Sequence, residues 1–306
     1  MPTPIVVRDN DDEYKVLKKV AENNFYRMYL CEHLQTGRKC LLQIGLTDAD
    51  NSRLERFAYI LKELKFRAAE LEKAYAKVKE DPKDLLNYDL GFPELINSFT
   101  HTDQDGDRRV NVFVFRNIAN AGDAVPLINI TEKDFLRVDL KTSVWIMGKA
   151  LKLLAFTQSE GFAIRLVSSD NILLDPDQHY VLFFDLTATQ SYPDGAVPEE
   201  ECRQEIAKAA QAVIIVLGGD PETEYIPSDD DGNSEDDDDS ETMSFSHADD
   251  GREKDVSRYT DYLFHLARGE ESNAKRAHES FYEIVDSLWP RQFHPFTTLP
   301  LESSDE

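Results

Sequence analysis

Basic residues are scarce in this sequence of 306 residues, which has 34 Lys and Arg against 59 Asp and Glu and a net charge of −25. Proteins that bind nucleic acid or anionic membranes use clustered Lys and Arg to contact phosphate groups. The composition therefore predicts neither nucleic acid nor a membrane as a partner. The carboxylates are concentrated in 220–255, where 16 acidic residues stand against two basic ones.

Cysteine and long apolar runs are also in short supply. The three cysteines, Cys31, Cys40 and Cys202, show no C-x-x-C spacing, so the sequence predicts neither a zinc site nor a disulfide framework. The longest apolar run, 209–217, is far shorter than the roughly 20 residues that span a bilayer. The N-terminal stretch MPTPIVVRDNDDEY lacks the pattern of a signal peptide, and we expect a cytoplasmic protein.

Hydrophobic residues make up 41% of the sequence and aromatic residues 10%, which is enough to fill a core, so most of the chain is expected to fold. Turn residues between strand-like runs predict three antiparallel strands within 14–44. Short runs at 94–99 and 111–115 complete a predicted five-stranded sheet. Between the strands of 14–44 and the run at 94–99, apolar residues at three- and four-residue steps predict a long helix over 51–80.

Helical spacing dominates the second half of the sequence. It predicts helices over 140–159, 203–217, 259–266 and 277–288. A hairpin around the turn DPDQ is predicted within 172–184. The first half is thus rich in strands and the second half rich in helices.

The acidic segment 220–255 differs from its surroundings in having few apolar residues. Such a segment cannot bury enough surface to offset its conformational entropy, so we predict a disordered insert. One interpretation is a solvated loop that raises solubility. The other is a docking segment, which favours a protein partner with a basic surface.

Residues 150–187, ALKLLAFTQSEGFAIRLVSSDNILLDPDQHYVLFFDLT, carry the most specific pattern. They resemble the protein kinase succession of a long helix, a His-Arg-Asp catalytic loop, a hairpin and Asp-Phe-Gly. Asn171 matches the catalytic-loop asparagine, and Asp185 matches the metal-binding aspartate. The resemblance implies an α+β, bilobal protein-kinase-like fold. Its expected parts are an N-lobe over 1–118, a C-lobe over 119–219 and 256–300, the insert 220–255 and a tail over 301–306.

The resemblance is degenerate where a kinase covers the phosphates of ATP. The three glycines of the Gly-rich loop let the backbone approach the phosphates closely. Their places here are taken by Ala21, Asn23 and Tyr26. A tyrosine at the third place is expected to stand in or over the phosphate site.

Other nucleotide-pocket positions depart as well. The lysine that pairs with the phosphates is replaced by Gln43, which carries no charge. The helix glutamate that would partner it is assigned to Glu63, with Glu55 as the alternative. Phe115 falls at the gatekeeper position, and Asn117 follows it in the segment that would line the adenine pocket.

The catalytic loop lacks its proton acceptor. Ile-Arg-Leu replaces His-Arg-Asp, so Leu166 stands where the aspartate would accept the proton of the substrate hydroxyl. No catalytic residue is therefore expected to be intact. Arg165 is expected to have a structural role, paired with Asp185 or Glu205.

Two metal-facing groups survive, Asn171 and Asp185. They are compatible with a weak site for ATP and Mg²⁺, whereas the interpretation we favour is that no cofactor binds. The sequence thus predicts a catalytically impaired protein-kinase-like domain, a pseudokinase, that serves as a regulatory or protein-interaction module. The alternative is an active atypical phosphotransferase or nucleotidyl transferase that uses ATP and Mg²⁺ through these two residues.

Overall fold

The computed structural model describes residues 5–103, 106–229, 250–290 and 292–301. The chain divides into two compact units. The first comprises Met1–Val125 and Asn171–Thr189, and the second comprises Pro126–Asp170 and Gln190–Glu306. The first unit thus includes the hairpin segment 171–189, which the sequence assigned to the predicted C-lobe.

The described ranges contain both β-strands and α-helices, as an α+β fold requires. The strands are β1 (Val6–Asp9), β2 (Asp12–Glu22), β3 (Tyr26–His33), β4 (Lys39–Gly45), β5 (Glu94–Asp103), β6 (Gly106–Val114), β7 (Val125–Pro126), β8 (Leu136–Val138), β9 (Phe162–Ala163), β10 (Ile172–Asp175), β11 (Tyr180–Phe183), β12 (Gln190–Ser191) and β13 (Thr298–Pro300). The α-helices are α1 (Asn51–Tyr75), α2 (Ile128–Glu132), α3 (Leu140–Ser159), α4 (Glu199–Val216), α5 (Asp250–Ala267) and α6 (Ala274–Leu288).

The first unit is built on an antiparallel sheet with the strand order β1-β2-β3-β4-β6-β5. The sheet has six strands because β1 pairs with β2, whereas the sequence predicts five. Strand β1 is only four residues long, and so short a run gives little alternation to detect. The predicted hairpin is present as β10 and β11, with Ile172 opposite Phe183.

Helix α1 is the long helix that the sequence predicts over 51–80, but it ends at Tyr75. Its buried residues recur at helical spacing and include Leu54, Phe57, Leu61 and Leu64. Most residues in 76–80 are exposed, and without a buried face a helix gains little from tertiary packing. The apolar spacing therefore stops where the helix stops.

The second unit is mainly helical, and α3 supplies many of its buried residues, among them Ile146, Met147 and Leu151. Helix α3 approaches α6 closely at Gly148, where a Cβ atom would lie 2.6 Å from the hydroxyl oxygen of Tyr282. A Cβ atom at that distance would force the Tyr282 side chain to move, so the glycine allows this side chain to pack against α3. The predicted helices 140–159 and 203–217 correspond to α3 and α4.

The predicted acidic insert falls for the most part outside the described residues, from 230 to 249, as does the predicted tail from 302 onward. Its two ends are structured, which differs from the prediction. Asp220 and Tyr225 exchange backbone hydrogen bonds, and the carboxylate of Asp229 pairs with the buried guanidinium of Arg137 at 3.0 Å. At the other end, α5 already begins at Asp250.

The three cysteines are all buried and free. Cys31 and Cys40 lie opposite each other on β3 and β4, within a core cluster of the first unit. Cys202 lies on α4 in the second unit. Burial raises the pKa of Cys31 to about 12 and the pKa values of Cys40 and Cys202 to about 11.

Candidate functional site

The turn between β2 and β3 occupies the place of the Gly-rich loop in the sequence resemblance. Asn23 closes this turn, because its Oδ1 accepts hydrogen bonds from the backbone N–H groups of Phe25 at 2.9 Å and Tyr26 at 3.0 Å. Ala21 pairs with Met28 on the neighbouring strand and is exposed. The backbone N–H groups of Phe25 and Tyr26 are therefore satisfied within the turn itself.

Tyr26 begins β3, and its side chain is buried. Its hydroxyl donates a hydrogen bond to Oδ2 of Asp185 over 2.7 Å. Burial raises the pKa of Tyr26, the negative charge of Asp185 raises it further, and the amides of Asn23 and Gln43 oppose the rise. The phenol is accordingly held in its protonated state as a donor to the carboxylate.

The remaining polar atoms around Asp185 are also engaged. Its Oδ1 accepts a hydrogen bond from the backbone N–H of Thr187 at 2.8 Å. The side chain of Asn171 donates to the backbone oxygen of Asp185 at 3.0 Å and accepts from its backbone N–H. Asn171 thus clamps the backbone at Asp185, and both residues sit in the first unit at the end of the β10–β11 hairpin.

Gln43, which the sequence resemblance puts at the position of the phosphate-pairing lysine, is fully buried on β4. Its Oε1 accepts a hydrogen bond at 3.1 Å from the side chain of Asn111 on β6. Asn111 also donates to the backbone oxygen of Leu54 on α1 at 3.0 Å. The neutral Gln43–Asn111 pair therefore links β4 and β6 to helix α1 through hydrogen bonds.

The predicted helix glutamates do not provide this tie in the structure. Oε2 of Glu63 lies 3.9 Å from Nε of Arg67, one turn further along α1, and Glu55 is exposed. Sequence reasoning missed Asn111, although a polar residue within the apolar run of β6 was a usable signal. Among the described residues, the buried Nε2 of Gln43 makes no hydrogen bond of normal geometry, and its interaction with the Tyr26 hydroxyl is limited to a lowering of the pKa of that phenol.

Phe115, which the sequence resemblance puts at the gatekeeper position, is fully buried, and its ring centroid lies 6.2 Å from that of Phe184. Phe184 also makes an edge contact with Phe113 at 5.7 Å, and Phe113 stacks on Phe57 of α1 at 5.2 Å. This aromatic chain supports the residue that precedes Asp185.

Asn117 is separate from the polar group around Asp185. Its side chain donates to the hydroxyl of Tyr180 at 3.0 Å, and its own φ is +65°.

The Ile-Arg-Leu segment belongs to the second unit. The guanidinium of Arg165 binds the carboxylate of Glu201 through two nitrogens, at 2.9 and 2.5 Å, and the hydroxyl of Tyr192 donates to the same carboxylate at 2.5 Å. Glu205 instead accepts from the backbone N–H of Arg165 at 2.9 Å. The expected ion pair with Asp185 or Glu205 is therefore wrong, because the side chain of Arg165 binds Glu201, which lies one turn before Glu205 on α4.

Leu166, which the sequence resemblance puts at the place of the proton acceptor, has 37% of its surface exposed, and its side chain has no group that could accept a proton. Two further findings concern the described ranges as a whole. No cluster of three or more His, Cys, Asp or Glu side chains within them is arranged to hold a metal ion. Every helix in these ranges falls short of the length or the hydrophobicity that a membrane span needs.

Comparison with known proteins gives matches among solved structures only. No protein family model and no curated protein matches the sequence. The structure is similar to the kinase domain of BubR1, with a TM-score of 0.52, 12% identity and coverage of 92% of this chain and 88% of that one. The kinase domain of PF14_0431 aligns with a TM-score of 0.45 and 13% identity over 67% of this chain and 63% of that one.

Proposed function

Because the chain has an α+β, bilobal protein-kinase-like fold, we propose that it is a catalytically impaired kinase-like domain that serves as a regulatory or protein-interaction module. The observation that carries this proposal is the buried hydrogen bond from Tyr26 to Asp185. Phosphoryl transfer in kinases needs this carboxylate for a metal ion that bridges the phosphates. Here a phenol of the same chain holds the carboxylate.

The surrounding residues fit a magnesium–nucleotide complex poorly. Asn171, the second candidate ligand, uses both of its amide atoms on the backbone of Asp185. Gln43 supplies no positive charge to phosphates, and its carbonyl is taken by Asn111. Asn23 occupies backbone N–H groups at the tip of the β2–β3 turn.

We expect weak or absent binding of ATP. Both charge complementarity and close backbone approach to the phosphates are missing, so the dissociation constant should be no tighter than about 0.1 mM, or roughly −5.5 kcal/mol. Calorimetric titration with ATP, with and without Mg²⁺, measures this. Tyr26→Phe removes the hydrogen bond to Asp185 and so tests whether this bond contributes to the weak binding of ATP. Tyr29→Phe on the same strand is the matched control. Low-micromolar, magnesium-dependent binding by the wild type would overturn the proposal.

We also expect kinase activity with generic protein substrates to stay at background. Leu166 cannot accept a proton, and Leu166→Asp alone should not restore activity, because the lysine and the glycines are also missing. Incorporation of labelled phosphate measures both variants. Robust autophosphorylation by the wild type that is lost in Asp185→Asn would favour the alternative, an active phosphotransferase or nucleotidyl transferase.

A further inference from the structure

Helix α1 presents two aromatic side chains to solvent. Tyr59 and Phe66 are each 63% exposed, and they lie seven residues apart, which is about two turns of the helix. Of the helical residues whose side chains the structure describes, these two are the only large hydrophobic ones that are exposed. They lie opposite the buried face, which includes Phe57, Leu61 and Leu64. The first unit therefore leaves both rings largely uncovered.

Charged side chains of opposite sign flank the two rings. Lys62 and Glu63 lie between the rings, and Glu55 and Arg56 lie one turn before the first of them. Successive residues of a helix are about 100° apart, so the two members of each pair stand on opposite sides of the rings. Each level thus has an acidic group on one side and a basic group on the other. We call this set the α1 stripe: Glu55, Arg56, Tyr59, Lys62, Glu63 and Phe66.

The central pair of charges is loosely held within its own chain. Lys62 is exposed, and the closest approach of Glu63 to Arg67 is 3.9 Å, which is longer than a hydrogen bond. Ion pairs of this kind contribute little to stability. At the other level, Nη2 of Arg56 donates to the backbone oxygen of Thr189 at 2.8 Å. Lys62 and Glu63 are therefore the charges best able to form contacts with another molecule.

A second copy of α1 fits the stripe when the two helices run parallel. A two-fold axis along the helices brings every residue level with its own counterpart, so each aromatic ring meets the same ring of the other chain. The axis also sets one side of the stripe against the opposite side of its partner. Lys62 then faces Glu63 of the second copy, and Glu55 faces Arg56 in the same way. Each of the four charged residues thus lies opposite a charge of the other sign.

An antiparallel pair would match the rings but not the central charges. With Tyr59 opposite Phe66 of the second copy, the two-fold axis passes between positions 62 and 63 and sets each side of the stripe against itself. Lys62 would then face Lys62, and Glu63 would face Glu63. Like charges brought together at an interface are unfavourable. The order of the charges therefore favours the parallel arrangement.

We propose that the α1 stripe is the interface through which two copies of this chain associate, with their α1 helices parallel. The seven-residue spacing of the rings is that of parallel paired helices, in which it keeps the seam facing the partner. A helix of 25 residues offers a face about 37 Å long, which is small for an obligate interface and predicts a reversible dimer. The association does not involve Tyr26 or Asp185, so it goes beyond the function proposed above.

Sedimentation velocity of the full chain over a range of concentrations measures this association. We expect a monomer–dimer equilibrium whose dissociation constant rises about tenfold or more in Phe66→Gln, which corresponds to about 1.4 kcal/mol. Phe135→Gln removes a phenylalanine that is 71% exposed in the second unit and should leave the constant unchanged. A wild type that stays monomeric would assign the stripe to another occupant and overturn the proposal.

Charge reversal tests the parallel arrangement. Lys62→Glu and Glu63→Lys should each weaken the dimer about tenfold, because each creates two like-charged contacts across the two-fold axis. The double variant restores opposite charges and should associate within a few-fold of the wild type, which also guards against single variants that merely fail to fold.

A general effect of net charge gives a different pattern. Lys62→Glu makes the chain more negative and Glu63→Lys makes it less negative, so repulsion between chains with a net charge of −25 would weaken one dimer and strengthen the other. That pattern would overturn the proposal. A dimer that is unaffected by Phe66→Gln, or by both single charge reversals, would overturn it as well.

Discussion

Asp185→Ala should lower the free energy of unfolding by about 2–4 kcal/mol. The substitution removes the acceptor of two hydrogen bonds, from the Tyr26 hydroxyl and the Thr187 backbone N–H, in a place where Asp185 is buried. A buried donor left without an acceptor costs about 1–3 kcal/mol. The desolvation of the carboxylate, which the substitution also removes, keeps the total below the upper sum.

The matched control for that loss is Asp185→Asn. An asparagine keeps an oxygen for the Thr187 N–H and offers an NH₂ group to the oxygen of Tyr26, so we expect a loss of no more than about 1.5 kcal/mol. Urea denaturation followed by circular dichroism measures both variants. Equal stability of Asp185→Ala and wild type would mean that the Tyr26–Asp185 bond contributes nothing to the fold, which would remove the main support for the proposed function.

Lys149→Met should raise the free energy of unfolding by about 1–3 kcal/mol at pH 6.5. The pKa of Lys149 falls from 10.5 to about 8 on folding because of burial and Lys152, and one pKa unit corresponds to about 1.4 kcal/mol. Methionine keeps an apolar stem beside Trp145 but loses the contact of the ammonium with that ring, about 0.5–1 kcal/mol, which reduces the gain.

The sign of the pH dependence separates charge from hydrophobicity in this variant. Because the folded pKa lies below the unfolded one, the cost of the charged lysine is complete below about pH 8 and disappears as the pH rises toward 10.5. The gain should therefore be large at pH 6.5 and small at pH 10, with Lys208→Met unchanged within about 0.5 kcal/mol at both. A gain that is the same at both pH values would contradict the electrostatic explanation.

The protein-kinase-like fold could be predicted from the sequence, and the structural comparison confirms it. The order and spacing of the predicted elements indicated this fold. The elements themselves could be predicted because the periodicity of α3 and the hairpin before Asp185 are both local sequence patterns. Helix α1 was predictable for the same reason up to the point where its buried face ends. Local patterns therefore suffice for most elements of this chain.

The candidate site required three-dimensional information that local patterns do not hold. Tyr26 and Asp185 are 159 positions apart, and the sequence indicated only that a tyrosine would stand near a phosphate site. The Gln43–Asn111 pair joins two strands across 68 positions. Arg165 pairs with Glu201 because of the direction of its side chain, which leaves a backbone with φ of +64°. No rule based on sequence spacing specifies that direction.

The three buried thiols provide a means of measuring how each unit opens. A thiol that is buried and protonated reacts with an alkylating reagent only after local or global unfolding exposes it. Cys31 and Cys40 lie in the first unit and Cys202 in the second, so mass spectrometry of alkylated peptides resolves the two opening equilibria within one native molecule. The natural cysteines can therefore distinguish a ligand that tightens the sheet-rich unit from one that tightens the helical unit, without any engineered label.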